Sequence, residues 1–180
     1  QYHPETFAAI KKHAKLAAKV SGERLRDEFN KMIMHPSFAD ALEDMEDTGV
    51  LEAVLPELQA LKGLAQPLEY HTEGDVWDHT IRSVRALKPT SSFYARWAVL
   101  FHDVGKSETF KVAERIRYDQ HAEKSSEIVE RVLRKLHFSG KEIKSISWLV
   151  AHHMMVYNVL GMPVGRRRHW FLEELFLDLL

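Results

Sequence analysis

The sequence predicts an all-α protein, a helical bundle preceded by a smaller helical segment, and three observations carry that class. Apolar residues recur at three- and four-residue steps through nearly every stretch. Capping residues precede these runs, and Pro or Gly follows several of them. Alternating β-branched runs are almost absent. Only "SETFKVAERIRYDQ" (107–120) resembles extended structure, as a short hairpin or an irregular loop.

The elements follow in order. "PETFAAIKKHAKLAAKV" (4–20) places Pro4 in a first helical turn and spaces Phe7, Ile10, Ala14, Ala17 and Ala18 at helical steps. "SGERLRDEFNKMIMH" (21–35) restarts at Ser21 as N-cap, with Leu25, Phe29, Met32 and Ile33 on one face. A third run extends from Pro36 to a stop at Gly49, and a fourth, 50–63, is broken or kinked by Pro56. The loop "LAQPLEYHTEG" (64–74) divides the chain into a helical segment, 1–64, and a second helical domain, 65–180. In the second, one helix opens at Asp75 and another at Ser91 and Ser92. Long helices cover roughly 121–137 and 140–157, the latter with a capping box from Ser139 to Glu142. A last helix starts after Pro163 and remains apolar and periodic to Leu180. The start without Met and the end inside that pattern suggest a piece of a longer protein.

Composition narrows the function. Apolar residues are 45% of the chain and charged residues 28%, ordinary for a globular protein. A net charge of −1 gives no global case for nucleic-acid or membrane binding. With no cysteine, thiolate zinc sites and cysteine nucleophiles are excluded. No apolar stretch is long enough to span a membrane and no signal-peptide core is visible, so a cytoplasmic location is expected. Charge is uneven locally: residues 1–35 hold seven Lys/Arg against four Asp/Glu, whereas 36–61 hold seven acids and no base. Lys11, Lys12, Lys15, Lys19 and Arg24 form a basic helical stretch that could track RNA phosphates, or simply face solvent.

The unusual count is eleven histidines. His79 lies inside one predicted helix, His102 and Asp103 end the next, His121 opens a third, and His152 and His153 lie along a fourth. Bundles build metal sites from inward side chains on facing helices. Imidazole plus carboxylate without sulfur suits Mn²⁺, Fe²⁺, Co²⁺, Ni²⁺ or Zn²⁺, and Mg²⁺ if water completes the sphere. Asp103 could bridge two such ions, the arrangement used for phosphoester hydrolysis. Lys106 could neutralise phosphate charge, or cap a helix end in solvent. His3, His13, His35, His71, His137 and His169 lack this company and are expected on the surface or in loops, although His71 could line the same cleft.

These residues carry a resemblance. The run His79, His102-Asp103, His121, His152-His153 resembles the HD superfamily of metal-dependent phosphohydrolases. "VSGERLRDEFNKMI", "DTGVLEAVLPEL", "EYHTEGDVWDHT", "WAVLFHDVGK", "RIRYDQHAEKSSEI" and "LHFSGKEIKSISWLVAHHM", in that order, resemble the middle of bacterial CCA-adding enzymes and poly(A) polymerases of the second nucleotidyltransferase class. The resemblance implies an RNA-binding neck over 1–64 and an HD domain over 65–180. It implies His79, His102 and Asp103 as primary metal ligands, with His121 and one or both of His152 and His153 completing a second site or binding phosphate. Asp103 and Lys106 would act in hydrolysis of phosphomonoesters or cyclic phosphodiesters of nucleotides or RNA ends, and the neck would bind RNA, tRNA above all. Two alternatives stand beside it, a non-catalytic RNA-binding module and a standalone nucleotide phosphohydrolase. Two departures qualify it. The family's Gly-rich loop and D-x-D pair are not in this sequence, so nucleotidyl transfer would belong to a longer parent. A closing aspartate is expected beyond Leu180, with Asp178 the nearest alternative.

Overall fold

A computed structural model describes residues 3–66, 74–112, 116–159, 161–171 and 174–179. Its elements are α1 (Pro4–His13), α2 (Gly22–Met32), α3 (Phe38–Thr48), α4 (Val50–Val54), α5 (Pro56–Gln59), α6 (Val76–Arg85), α7 (Phe93–Phe101), α8 (Lys106–Thr109), α9 (His121–Lys135), α10 (Gly140–His152), α11 (Met155–Val159) and α12 (Val164–Phe171). The fold is all-α. The expected hairpin is present as two two-residue strands, β1 (Lys111–Val112) and β2 (Ile116–Arg117), paired antiparallel.

Local chemistry sets the boundaries. Asp75 caps α6 and Ser139 caps α10, each in a reciprocal box with the residue three on, Asp78 and Glu142. Ser92 caps α7 through the Ala95 amide. Gly49 ends α3 in the left-handed conformation at φ 77°, where a side chain would be strained. Three expectations differ in detail. The run 4–20 is α1 followed by a 3-10 turn, Ala14–Lys19, because Ala14 tucks under the Gly49 bend. The run 140–157 breaks after His152, where the His153 amide bonds back to Val150 O and turns the chain into α11. The C-terminal stretch is α12 and a 3-10 helix, Glu174–Leu179, rather than one continuous helix.

One hydrophobic cluster runs through the molecule, from Phe29 and Leu42 in the first segment to Val129 and Leu149 in the second. Helix α7 lies at its centre, packed between α6 and α10, with α9 on the far side of α10. Trp97, Leu100 and Phe101 of α7 are wholly buried, and Trp97 stacks on Phe101 and meets Phe138 edge-on. Cross-segment ties add direction to this burial. Trp97 Nε1 donates to Asn30 Oδ1 at 3.2 Å, and the buried Arg96 donates to the carbonyls of Ile33, Lys88, Pro89 and Ser91.

The turn after α7 must approach α9 closely, and Gly105 permits it. A Cβ there would stand 2.4 Å from the Ser125 amide nitrogen and 2.5 Å from His121 O. Gly105→Ala should therefore destabilise by about 1–3 kcal/mol, lowering Tm by roughly 2–4 °C per kcal/mol in a thermal melt. Gly140→Ala, where an added Cβ meets nothing within 4 Å, should leave Tm unchanged or higher.

Candidate metal centre

Four helix ends deliver imidazoles to one buried carboxylate. Helix α6 presents His79, the turn after α7 presents His102 and Asp103, α9 opens with His121, and the turn after α10 presents His153. Asp103 is 3% exposed. Its Oδ2 lies 3.2 Å from His102 Nε2 and 3.7 Å from His79 Nε2, while its Oδ1 lies 3.4 Å from His121 Nε2 and 3.8 Å from His153 Nε2. The side chains thus form two three-ligand groups that share Asp103: His79, His102 and Asp103, then Asp103, His121 and His153.

The donor set fits divalent ions. His102 Nδ1 bonds to Val99 O at 2.7 Å, His121 Nδ1 to Tyr118 O at 2.9 Å, and His153 Nδ1 to Val150 O at 2.7 Å. A carbonyl only accepts, so each Nδ1 carries a proton, and a ring that is neutral offers its Nε2 lone pair to the centre. His121 and His153 Nε2 face each other at 3.3 Å, and with both rings neutral they are two acceptors that a cation would bring together. His79 and His102 Nε2 approach to 3.1 Å, and two nitrogens at that spacing can each lie about 2.1 Å from a common ion.

Lys106 is buried rather than facing solvent. Its Nζ lies 2.7 Å from Asp103 Oδ2 and donates to Gln66 Oε1 at 3.0 Å. Gln66, 4% exposed, also donates to Asp75 O and so ties the start of α6 to the carboxylate. Tyr118 holds His121 through its carbonyl and sets its ring 5.3 Å from Lys106 Nζ. Ser125, one turn after His121, accepts from the Gly105 amide at 2.8 Å. Gln66 carried no motif, and Tyr118 and Ser125, although inside the stretch "RIRYDQHAEKSSEI", were assigned no role. Only Ser125 had a signal, the four-residue spacing that puts it on the face of His121.

The other expected site residues lie elsewhere. His152 turns away from the cluster: its ring stacks on Trp148 with centroids 4.3 Å apart, and its Nδ1 bonds to Trp148 O. His152, the last residue of α10, turns toward Trp148, whereas His153, in the turn that follows, reaches the cluster. Asp178 belongs to neither ligand group. His71 lies outside the described residues. Lys11, Lys12, Lys15, Lys19 and Arg24 are all exposed on α1, the 3-10 turn and α2.

Burial would push the Asp103 carboxyl up, but the charges of His102 and Lys106 outweigh it and hold the group well below the usual carboxylate range. Burial also disfavours protonated His102, yet the Asp103 charge wins and raises it. Burial and then the negative charge of Asp103 push the Tyr118 phenol up to about 12. His153 goes the other way: burial, reinforced by repulsion from His102, lowers it to about 4. Its folded value lies below the unfolded one of about 6.5, so the unfolded chain binds more protons between those values. Stability contributed by His153 is present above pH 6.5 and is lost as pH falls toward 4. Imidazole-nitrogen NMR on metal-free protein should show His153 still neutral at pH 5; a midpoint near 6.5 would contradict its burial.

Comparison with known proteins places this geometry. The HD domain model matches residues 74–165, just over half of the chain. A second model, described as the probable RNA- and SrmB-binding site of polymerase A, matches residues 1–62. A CC-adding tRNA nucleotidyltransferase of Thermus thermophilus is 34% identical over 160 residues, covering 86% of this chain and 34% of that protein. An A-adding tRNA nucleotidyltransferase of Deinococcus radiodurans is 32% identical over 139 residues, 74% of this chain and 32% of its own length. A multifunctional CCA protein of Alkalilimnicola ehrlichii is 29% identical over 164 residues, 88% and 39% respectively. The chain spans about a third of the length of these relatives. No helix among the described residues is long and apolar enough to cross a membrane. The chain belongs to the HD domain family and joins that domain to a polymerase A-type RNA-binding segment.

Proposed function

We propose that the chain is the RNA-binding and HD part of a tRNA nucleotidyltransferase or poly(A) polymerase-type protein of the cytoplasm, and that its HD domain hydrolyses phosphomonoesters or cyclic phosphodiesters of nucleotides or RNA ends. The observation that carries the reading is the single carboxylate, Asp103, shared between two imidazole pairs. His79, His102 and Asp103 would hold one divalent ion, and Asp103, His121 and His153 a second. Such ions supply an acidified water and positive charge for the phosphoryl oxygens. Mn²⁺, Ni²⁺ and Co²⁺ suit the ligand set, with Mg²⁺ and Zn²⁺ as further options.

Charge supports the substrate class. One carboxylate cannot balance two dications, and Lys106 adds to the surplus, so the loaded centre favours an anion. In hydrolysis, water oxygen bonds to phosphorus, one ester P–O bond breaks, and the water proton ends on the leaving oxygen. The buried contacts of Lys106 make it a positioning residue that fixes Asp103, instead of a direct phosphate ligand. Asp103→Asn keeps the side-chain volume and removes the bridging charge. It should cut turnover of bis-p-nitrophenyl phosphate or a 2′,3′-cyclic nucleotide at least ~100-fold and reduce bound metal by elemental analysis. Equal turnover in parent and variant would sink the mechanism, as would inertness of the parent with all five metals.

The match over residues 1–62 favours a second activity, RNA binding through the exposed basic stretch. Converting Lys11, Lys12, Lys15 and Lys19 to Gln should weaken tRNA binding. The slope of log K against log salt should fall by about 0.7–0.9 per lost phosphate contact. An unchanged slope would assign RNA binding to another surface.

A further inference from the structure

His152 and His153 are neighbours in sequence but serve different sides of α10. His153 enters the cluster, and His152 stacks on Trp148 at an interplanar angle of 25°, with Trp170 5.3 Å away. Trp148 and His152 line a groove of about 350 Å³ that also carries Arg134 and Lys144. Its one acid, Glu130, is paired with Arg134 at 3.4 Å. Beneath it the buried Ser147 Oγ has no hydrogen-bond partner among the described residues. On the other side of His152 lies a second hollow of about 390 Å³, lined by the cluster's His121, by Tyr118 and by Met154 and Met155. Both hollows count Ala151 and His152 among their lining residues, so they adjoin along α10 as one track, which reaches the cluster at His121 and carries a second acid, Glu123.

We propose that this track seats a short single-stranded RNA segment leading to the scissile phosphate, with a base stacked against the Trp148–His152 pair. Lys144 and Arg134 face its backbone. This rests on the phosphohydrolase reading and deepens it: the substrate is an RNA end instead of a free nucleotide. Three features favour RNA over a protein partner. One end of the track is lined by His121, a candidate ligand of a centre suited to phosphate. Aromatic faces beside cations are the means by which proteins hold single strands without reading sequence. The thioether and aromatic lining of the inner hollow suits a nucleoside, whose base is apolar on both faces.

The test measures binding of a hexaribonucleotide ending in a 3′-phosphate and of the corresponding 3′-mononucleotide, by competition against a labelled hexamer, with the full 180-residue chain and Mn²⁺. The parent should bind the hexamer at least tenfold tighter than the mononucleotide. Trp148→Ala should weaken the hexamer about 5- to 100-fold, and Trp148→Phe should restore most of that loss. Lys144→Gln, an exposed change that leaves the core intact, should weaken it several-fold and reduce its salt slope by about 0.7. Hexamer affinity at the parent level in either folded variant overturns the proposal, as does a parent that binds hexamer and mononucleotide alike. The same measurements separate the two readings: Trp148-dependent binding without turnover of any phosphoester would leave the RNA track standing and remove the hydrolase.

Discussion

The structure is organised around the burial of one carboxylate. An ionised group with 3% exposure is costly unless its charge is matched and its lone pairs are met. Around Asp103 that demand is met by Lys106 at 2.7 Å, and the imidazole nitrogens from four helix ends answer it as protonated donors or through a bound cation. Meeting it dictates the packing. The turn after α7 must touch the start of α9, which leaves no room for a Cβ at Gly105. The start of α6 must sit beside Lys106, which Gln66 secures from both sides.

The same constraint explains why histidines stand just past apolar helices. The last carbonyls of a helix lack intrahelical partners. His102 follows the final residue of α7 and uses Nδ1 to satisfy Val99 O; His153 follows the final residue of α10 and does the same for Val150 O. The two stretches even share a layout, "WAVLFH" (97–102) and "WLVAHH" (148–153), with Trp five and Val three residues before the ligand. One hydrogen bond thus closes a helix and fixes a tautomer, and Nε2 is left facing inward as an acceptor.

Much of this was legible in the sequence. Capping chemistry at Asp75, Ser92 and Ser139 located helix starts, Gly49 located an end, and the imidazoles of four helices suggested a common centre. Four kinds of information were not legible. The period that suggested one helix over 4–20 says nothing of the burial of Ala14 under Gly49, which tightens the chain into a 3-10 turn. Composition gave Lys106 two equal roles, and only the fold showed it buried against Asp103. Neither His152 nor His153 was distinguishable by residue type; the end of α10 at His152 decides which enters the cluster. Gln66 had no local signal, because its role depends on contacts with Asp75 and Lys106, the latter forty residues away.

The packing of α7 also fixes how the first helical segment sits against the cluster. Trp97 is wedged against Phe29 of α2 and bonds to Asn30, while five residues later the same helix ends at His102. On the far side, Arg26 of α2 donates to His137 O just beyond α9, and Gly22 approaches Lys135 O so closely that a Cβ would clash at 2.1 Å. The helix that follows the basic stretch is therefore fastened to two of the elements that deliver ligands. A segment joined by a flexible linker could present RNA to the cluster in many orientations. A segment sharing one core with α7 and α9 allows few, because changing its angle would open buried contacts at Trp97. The first segment and the cluster are thus held in one orientation, and Trp97 is the buried residue that both share.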